Sequence, residues 1–189
     1  MSEFITISHS NKIDSLFTYA AGYYNSGLLL IEILLDENRY SQLSDFLEDF
    51  RKESIKLEEE CNIYPVMFLF RQYLELIIKA LYLHFEISDN DNYYNNRKRL
   101  FENHRISEIW PGLMKKLLLE EQKCTDLSGI TKILDEIVQR FVSIDDNSYC
   151  FRYPFDIKNN FYFKNDKYYN LKRIKSDITL FDDLIHEFV

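Results

Sequence analysis

Residues 65–84 read PVMFLFRQYLELIIKALYLH, a run of twenty in which apolar side chains fall on nearly every side of a helical projection. Pro65 suits the first turn of a helix, where its missing N–H is not needed. A helix that is apolar almost all round belongs in the middle of a protein rather than at its surface. We therefore predict a central helix packed by others on several sides.

The rest of the chain supplies those other helices. Apolar residues recur at helical spacing in several further segments, and one of them is strongly acidic, with ten acidic residues against four basic ones between Glu32 and Glu60. Ser176 and Asp177 are the predicted caps of the last helix. The predicted helices cover residues 12–36, 41–60, 106–122, 127–142 and 176–188.

Two segments break the helical pattern. Residues 87–103 are rich in Asn, Asp and Ser, which favour turns, so we expect a loop there. Residues 148–170 place aromatic runs on both sides of Lys164-Asn165-Asp166-Lys167, which is typical of a short β-hairpin. The sequence thus predicts one all-α domain over residues 1–189, an up-and-down helical bundle with a small β-hairpin before its last helix.

Composition narrows the function classes. Four glycines and three prolines in 189 residues leave too few turns for a barrel, and no glycine-rich loop is present to hold a nucleotide phosphate. No apolar run approaches the roughly 20 residues of a membrane span, and no secretory signal is visible at the N-terminus. Cys61, Cys124 and Cys150 are too widely spaced for a metal knuckle. We expect a cytoplasmic protein without metal or cofactor.

The central helix carries three charges at i, i+4 and i+8, namely Arg71, Glu75 and Lys79. Charges on so apolar a helix need partners, because an unpaired buried charge costs several kcal/mol. One interpretation is a structural ion-pair cluster that fixes helix packing. The other places Arg71 or Glu75 on the floor of a functional cleft.

A second candidate site lies in residues 97–105, RKRLFENHR, which we expect to belong to a loop. A metal-independent ribonuclease needs a cation to hold the phosphate and a histidine to move protons near neutral pH. Arg99 and His104 supply this pair with four residues between them, and Arg97 offers a spacing of six. The structural alternative is that His104 caps the next helix or bonds to Glu75.

The third candidate is the run FRYP at residues 151–154, where Arg152 has aromatic neighbours and Pro154 holds Tyr153 extended. This setting suits a phosphate or a stacked base. Seven basic residues against two acidic ones between Arg152 and Lys175 favour local RNA binding, although the net charge of the chain is −8. The structural alternative pairs Arg152 with Asp145, Asp146 or Glu75.

Three of these segments, taken in order, resemble the landmarks of bacterial HEPN-like proteins. They are FLFRQYLELIIKAL at residues 68–81, NHRISEIW at residues 103–110 and DNSYCFRYP at residues 146–154. The resemblance extends over about residues 12–188. It implies an all-α bundle, often a homodimer, from toxin–antitoxin, abortive-infection or other phage-defence systems, in which many members are metal-independent endoribonucleases.

Active members of that family carry an Arg, four to six residues and then a His on a late helix. In this chain the matching spacing is Arg99 to His104, ahead of the predicted helix at residues 106–122. The resemblance thus implies either an RNA-cleaving protein, with Arg99 or Arg152 holding phosphate and His104 as acid and base, or a noncatalytic module that binds a cognate protein partner. In the second case the acidic segment from Glu32 to Glu60 would face a basic partner.

Overall fold

A computed structural model describes residues 12–36, 39, 63–86, 93–124, 127–154, 156–162 and 169–188. Within these ranges the protein is mostly helical and contains no β-strand, so the all-α prediction is confirmed for this part of the chain. A 3₁₀ turn, His186–Phe188, follows the last helix. The helices are α1 (Lys12–Leu35), α2 (Ile63–Glu86), α3 (Tyr93–Glu102), α4 (Ile106–Lys123), α5 (Ile130–Ile144) and α6 (Leu171–Ile185).

Helix α2 is the centre of the bundle, as its sequence predicts. More than half of its residues are buried, and it packs against α1 along most of its length and against α4 and α3. Phe70, Trp110 and Phe181 are almost completely enclosed in one continuous core. The apolar residues on every side of α2 are therefore accounted for by neighbouring helices.

Helices α1 and α2 approach closely at Gly27. A Cβ atom built on Gly27 would lie 2.5 Å from the ring of Phe70, whereas one on Gly22, five residues earlier in the same helix, meets nothing within 4 Å. Packing therefore requires glycine at position 27, because a larger side chain there would force the Phe70 ring or the helices to move. Gly22 has no such role.

These two glycines give a matched pair of variants. Gly22→Ala should raise the free energy of unfolding by about 0.5–1 kcal/mol, since alanine loses less backbone freedom in a helix. Gly27→Ala should lower it, because overpacking costs about 1–3 kcal/mol and outweighs the helix preference. Urea unfolding followed by circular dichroism measures both. Equal stability of the two variants would contradict the close approach of α1 and α2.

Polar bonds join the outer helices to this core. The Trp110 indole donates to Asp135 at 2.7 Å, and Tyr73 donates to Asp182 at 2.5 Å. Arg140 donates to both carboxylate oxygens of Asp177, at 2.8 and 2.9 Å. These bonds connect α4 to α5, α2 to α6 and α5 to α6.

Two predicted boundaries are wrong. Residues 93–102, within the expected loop, form helix α3, because the segment RKRLFE at 97–102 consists of residues with moderate to good helix propensity and buries Leu100. Helix α6 begins five residues before the predicted Ser176, and its cap is Asn170, whose side chain accepts a hydrogen bond from the N–H of Arg173 at 3.0 Å.

The predicted β-hairpin at residues 148–170 falls only partly on described residues. Residues 148–154 and 156–162 form a series of turns, with Phe161 in one isolated bridge. The expected centre at 164–167 lies outside the described residues, as do residues 41–60, the predicted acidic helix. No helix in the described ranges is both long and apolar enough to cross a membrane.

Candidate functional site

The three charges of α2 form a buried cluster. Arg71 is 1% exposed and Glu75 is 4% exposed, and Lys79 is enclosed as well. The guanidinium of Arg71 lies 3.1 Å from one carboxylate oxygen of Glu75, and the ammonium of Lys79 lies 2.7 Å from the other. One carboxylate thus sits between two cations, one helical turn away on either side.

The remaining N–H groups of Arg71 donate hydrogen bonds to backbone oxygens of two distant segments. Its Nε donates to Asp145 O at 2.8 Å, and its Nη2 donates to His104 O at 2.5 Å and to Asp146 O at 2.6 Å. The connection between α3 and α4 and the turn after α5 are therefore held together by one buried guanidinium. Planar donors in a fixed fork suit Arg, rather than Lys, for this task.

Glu75 also fixes the ring of His104. The Nδ1 atom of His104 lies 2.8 Å from Glu75 Oε1. Burial alone would raise the pKa of Glu75, but Lys79, Arg71 and the bond to His104 together hold this pKa below its ordinary value. Since the carboxylate is ionised and can only accept, Nδ1 is the protonated nitrogen of the neutral ring.

The other edge of the His104 ring is accessible. The side chain keeps 57% of its surface exposed although Nδ1 is bound to a buried carboxylate. Nε2 is the ring nitrogen that Glu75 does not bind, and with the proton on Nδ1 it can act as a proton acceptor. A histidine oriented in this way by a carboxylate has the arrangement of a general base.

The guanidinium of Arg152 lies among aromatic rings. Its Nε donates to Ser148 O at 2.6 Å, and its guanidinium lies 5.2 Å from the ring centre of Tyr149, 5.5 Å from that of Tyr153 and 6.0 Å from that of Phe68. No carboxylate of the described residues lies within 4 Å of it. The predicted pairing of Arg152 with Asp145, Asp146 or Glu75 is thus not formed.

The turn between α5 and Arg152 is held in one conformation by side chains. The amide of Gln72 on α2 donates to the hydroxyl of Ser148, a residue whose φ of 64° is uncommon for any residue except glycine. The Asp146 carboxylate accepts from the N–H of Ser107 at 2.8 Å and from its hydroxyl at 2.6 Å. This turn is thus fastened to α2 and to the start of α4, beside His104.

His104 and Arg152 lie over the same face of α2. Phe68, under Arg152, and Glu75, which binds His104, are seven residues apart and so share one face of the helix. At about 1.5 Å of rise per residue, their levels differ by about 10 Å along the helix axis. An imidazole and a guanidinium are thus placed about two turns apart on one surface.

Arg99 is placed elsewhere. It lies on α3 and lines an open cavity of about 230 Å³ with Tyr82, Asn103, Glu108 and Gly112. His104 is not among the residues of that cavity, although it follows Asn103 directly. The structure thus places Arg99 at a cavity whose lining does not include His104.

Sequence reasoning missed two supporting residues, Gln72 and Ser148, and it offered Arg152 rather than Ser107 as the side-chain partner of Asp146. The spacing of Phe68, Gln72 and Glu75 on α2 is a signal that could have placed Gln72 on the site-bearing face. Ser148 and Asp146 act through turn geometry, for which the sequence offers no comparable pattern.

Among the described residues, no group of three or more His, Cys, Asp or Glu side chains is positioned to hold a metal ion. The site consists of a carboxylate-bound imidazole, an aromatic-flanked guanidinium and a buried ion-pair cluster beneath them.

No family model matches this sequence, and neither a curated protein nor a solved structure matches the chain.

Proposed function

We propose that this protein is a cytoplasmic HEPN-like protein of a phage-defence or toxin–antitoxin system that recognises RNA and cleaves it without a metal ion. The observation that carries the proposal is the His104 imidazole, which is fixed through Nδ1 by Glu75 while more than half of its side chain stays exposed, on the face of α2 that also holds Arg152. The order of the HEPN-like segments along the sequence supports the same assignment.

The reaction assigned to this site is a transesterification within the RNA backbone, in which the phosphorus exchanges its bond to the 5′-oxygen for a bond to the 2′-oxygen. Nε2 of His104 takes the proton of a ribose 2′-hydroxyl, and the 2′-oxygen then bonds to the adjacent phosphorus. The bond from phosphorus to the 5′-oxygen breaks, and that oxygen takes a proton from an acid, the protonated His104 of the second copy in a homodimer. The products are a 2′,3′-cyclic phosphate and a 5′-hydroxyl end.

Cations near His104 hold the phosphate in this scheme. Arg152 is the better placed, because it lies over the same face of α2 and is not paired with a carboxylate of the described residues. Arg99 is the second candidate. A homodimer, which the resemblance favours, would bring a second copy of both groups to a shared cleft and supply an acid for the leaving oxygen.

A noncatalytic interaction module is the alternative, and the completeness of the buried cluster favours it. Arg71 uses its donors on three carbonyls and on Glu75, and Glu75 in turn is bound by Arg71, Lys79 and His104. Such a cluster fixes the fold without any ligand. In this reading the protein binds a cognate protein partner, and His104 is only a surface histidine held by the cluster.

Incubation of the purified protein with total cellular RNA in EDTA tests the proposal. We expect fragments with 2′,3′-cyclic phosphate ends, identified by their resistance to poly(A) tailing until the ends are opened and dephosphorylated. Cleavage should weaken steeply as salt is raised, because binding releases counterions from the phosphates. Intact RNA at every salt concentration, together with a protein that co-purifies in stoichiometric amount, would favour the interaction module instead.

A further inference from the structure

A cavity of about 270 Å³ opens beside Arg152 at the end of the site-bearing face of α2. Its lining includes Tyr64 from α2, Phe151, Arg152, Tyr153 and Pro154 from the turn after α5, and Phe161. The rings of Tyr64 and Phe151 lie 6.3 Å apart, and Tyr169 packs behind Phe151 at 6.4 Å. The cavity thus has a packed aromatic floor.

Two rings at this cavity are exposed to solvent. Tyr153 is 52% exposed and Phe161 is 61% exposed. Flat π-faces at an open cavity are surfaces on which a nucleobase stacks, and they do so without regard to sequence, because every base has such a face. The lining is therefore suited to a planar ring rather than to an aliphatic chain.

Arg152 supplies the charge at the rim. Its Nε is bound to Ser148 O, and the rings of Tyr149 and Tyr153 lie within cation–π distance, so the guanidinium is oriented before any ligand arrives. Its two terminal nitrogens have no hydrogen-bond acceptor in the described part of the chain. A phosphate can accept two parallel hydrogen bonds from two such nitrogens of one guanidinium.

We propose that this cavity binds one unpaired nucleotide, with the base against Tyr153 and Phe161 and the phosphate on the terminal nitrogens of Arg152. This inference rests on the proposed function for its source of nucleotide, a single-stranded RNA. The volume is near the lower end of the roughly 300–1,000 Å³ typical of ligand sites, so it accommodates one base rather than a stacked pair.

The position of the cavity connects it to His104. Tyr64 and Glu75 share the face of α2 and differ by eleven residues, or about 16 Å along the axis. A strand that placed one base in the cavity would therefore run past Arg152 toward the His104 imidazole. Paired bases cannot enter, so the cavity would select single-stranded regions of RNA.

Binding is measured with a fluorescent oligoribonucleotide of mixed sequence, 2′-O-methylated at every position so that it cannot be cleaved. The variants are Tyr153→Ala, Phe161→Ala and Arg152→Gln. Tyr19→Ala is the matched control, because Tyr19 is 53% exposed but lies on α1, outside the cavity. All four changes are at exposed positions, and thermal melting verifies that each variant is folded.

We expect each aromatic variant to bind the oligoribonucleotide roughly five- to 150-fold more weakly, as for the loss of one base-stacking partner. Arg152→Gln should also bind more weakly and with a smaller dependence on salt. Tyr19→Ala should bind as the original protein does. A duplex of the same sequence should compete poorly.

Other results separate this inference from the proposed function. Wild-type affinity in all three cavity variants would overturn the nucleotide cavity and leave RNA recognition standing. Binding of a mixture of the four nucleoside monophosphates, lost in Phe161→Ala, but no binding of the oligoribonucleotide would keep the nucleotide cavity and overturn RNA recognition. Failure to bind either ligand would overturn both.

Discussion

Replacing Arg71 by methionine is expected to lower the free energy of unfolding by about 3–5 kcal/mol, because the change breaks a buried ion pair. Methionine fills part of the space but donates no hydrogen bonds. The carbonyls of His104, Asp145 and Asp146 would then lose a buried donor, and Glu75 would lose one of its two buried cations. An unsatisfied buried acceptor is costly because it has left water without a replacement partner.

Arg105→Met is the control for this change. Arg105 also forms an ion pair with a nearby Glu, at 3.2 Å from Glu108, but both side chains are more than half exposed. Exposed pairs contribute about 0–1 kcal/mol. Urea unfolding of the two variants under one set of conditions gives the comparison. A loss below 1 kcal/mol in Arg71→Met would mean that Arg71 does not hold the two segments together.

The contrast between α2 and α3 shows how far the sequence predicts this fold. The apolar run at 65–84 can form only a buried helix, so its place at the centre followed from periodicity alone. Residues 93–102 carry few apolar side chains, and their Asn-rich start favoured a turn. Their helix depends on burial of Leu100 against the bundle, a tertiary contact that local pattern does not reveal.

The contacts of the candidate site were likewise predicted only in part. The spacing of Arg71, Glu75 and Lys79 predicted one charged stripe, and Glu75 was one of the two partners predicted for His104 if its role is structural. The backbone oxygens that Arg71 and Arg152 bind were not predictable. Every residue carries such an oxygen, so the sequence holds no sign of which one a guanidinium will find.

His104→Ala is expected to reduce RNA cleavage by about 10²–10⁴-fold, the usual contribution of a positioned acid or base. Glu75 holds the ring through Nδ1 and leaves Nε2 unbound by this carboxylate, and more than half of the side chain stays exposed. Its removal takes one hydrogen bond from Glu75, which keeps Arg71 and Lys79. The stability cost should therefore be only about 0.5–1.5 kcal/mol, and the variant should fold.

His186→Ala is the matched control for the catalytic assignment. The His186 ring is exposed to nearly the same degree, and its Nδ1 is likewise bound, here to Asp182 O at 2.7 Å, but it lies beyond α6 rather than on the face of α2. Cleavage is measured in EDTA for both variants, with and without added imidazole. We expect His186→Ala to retain full activity and imidazole to restore part of the activity of His104→Ala. Equal cleavage by both variants would remove His104 from the mechanism, whereas a loss without rescue in a destabilised protein would assign it to the buried cluster instead.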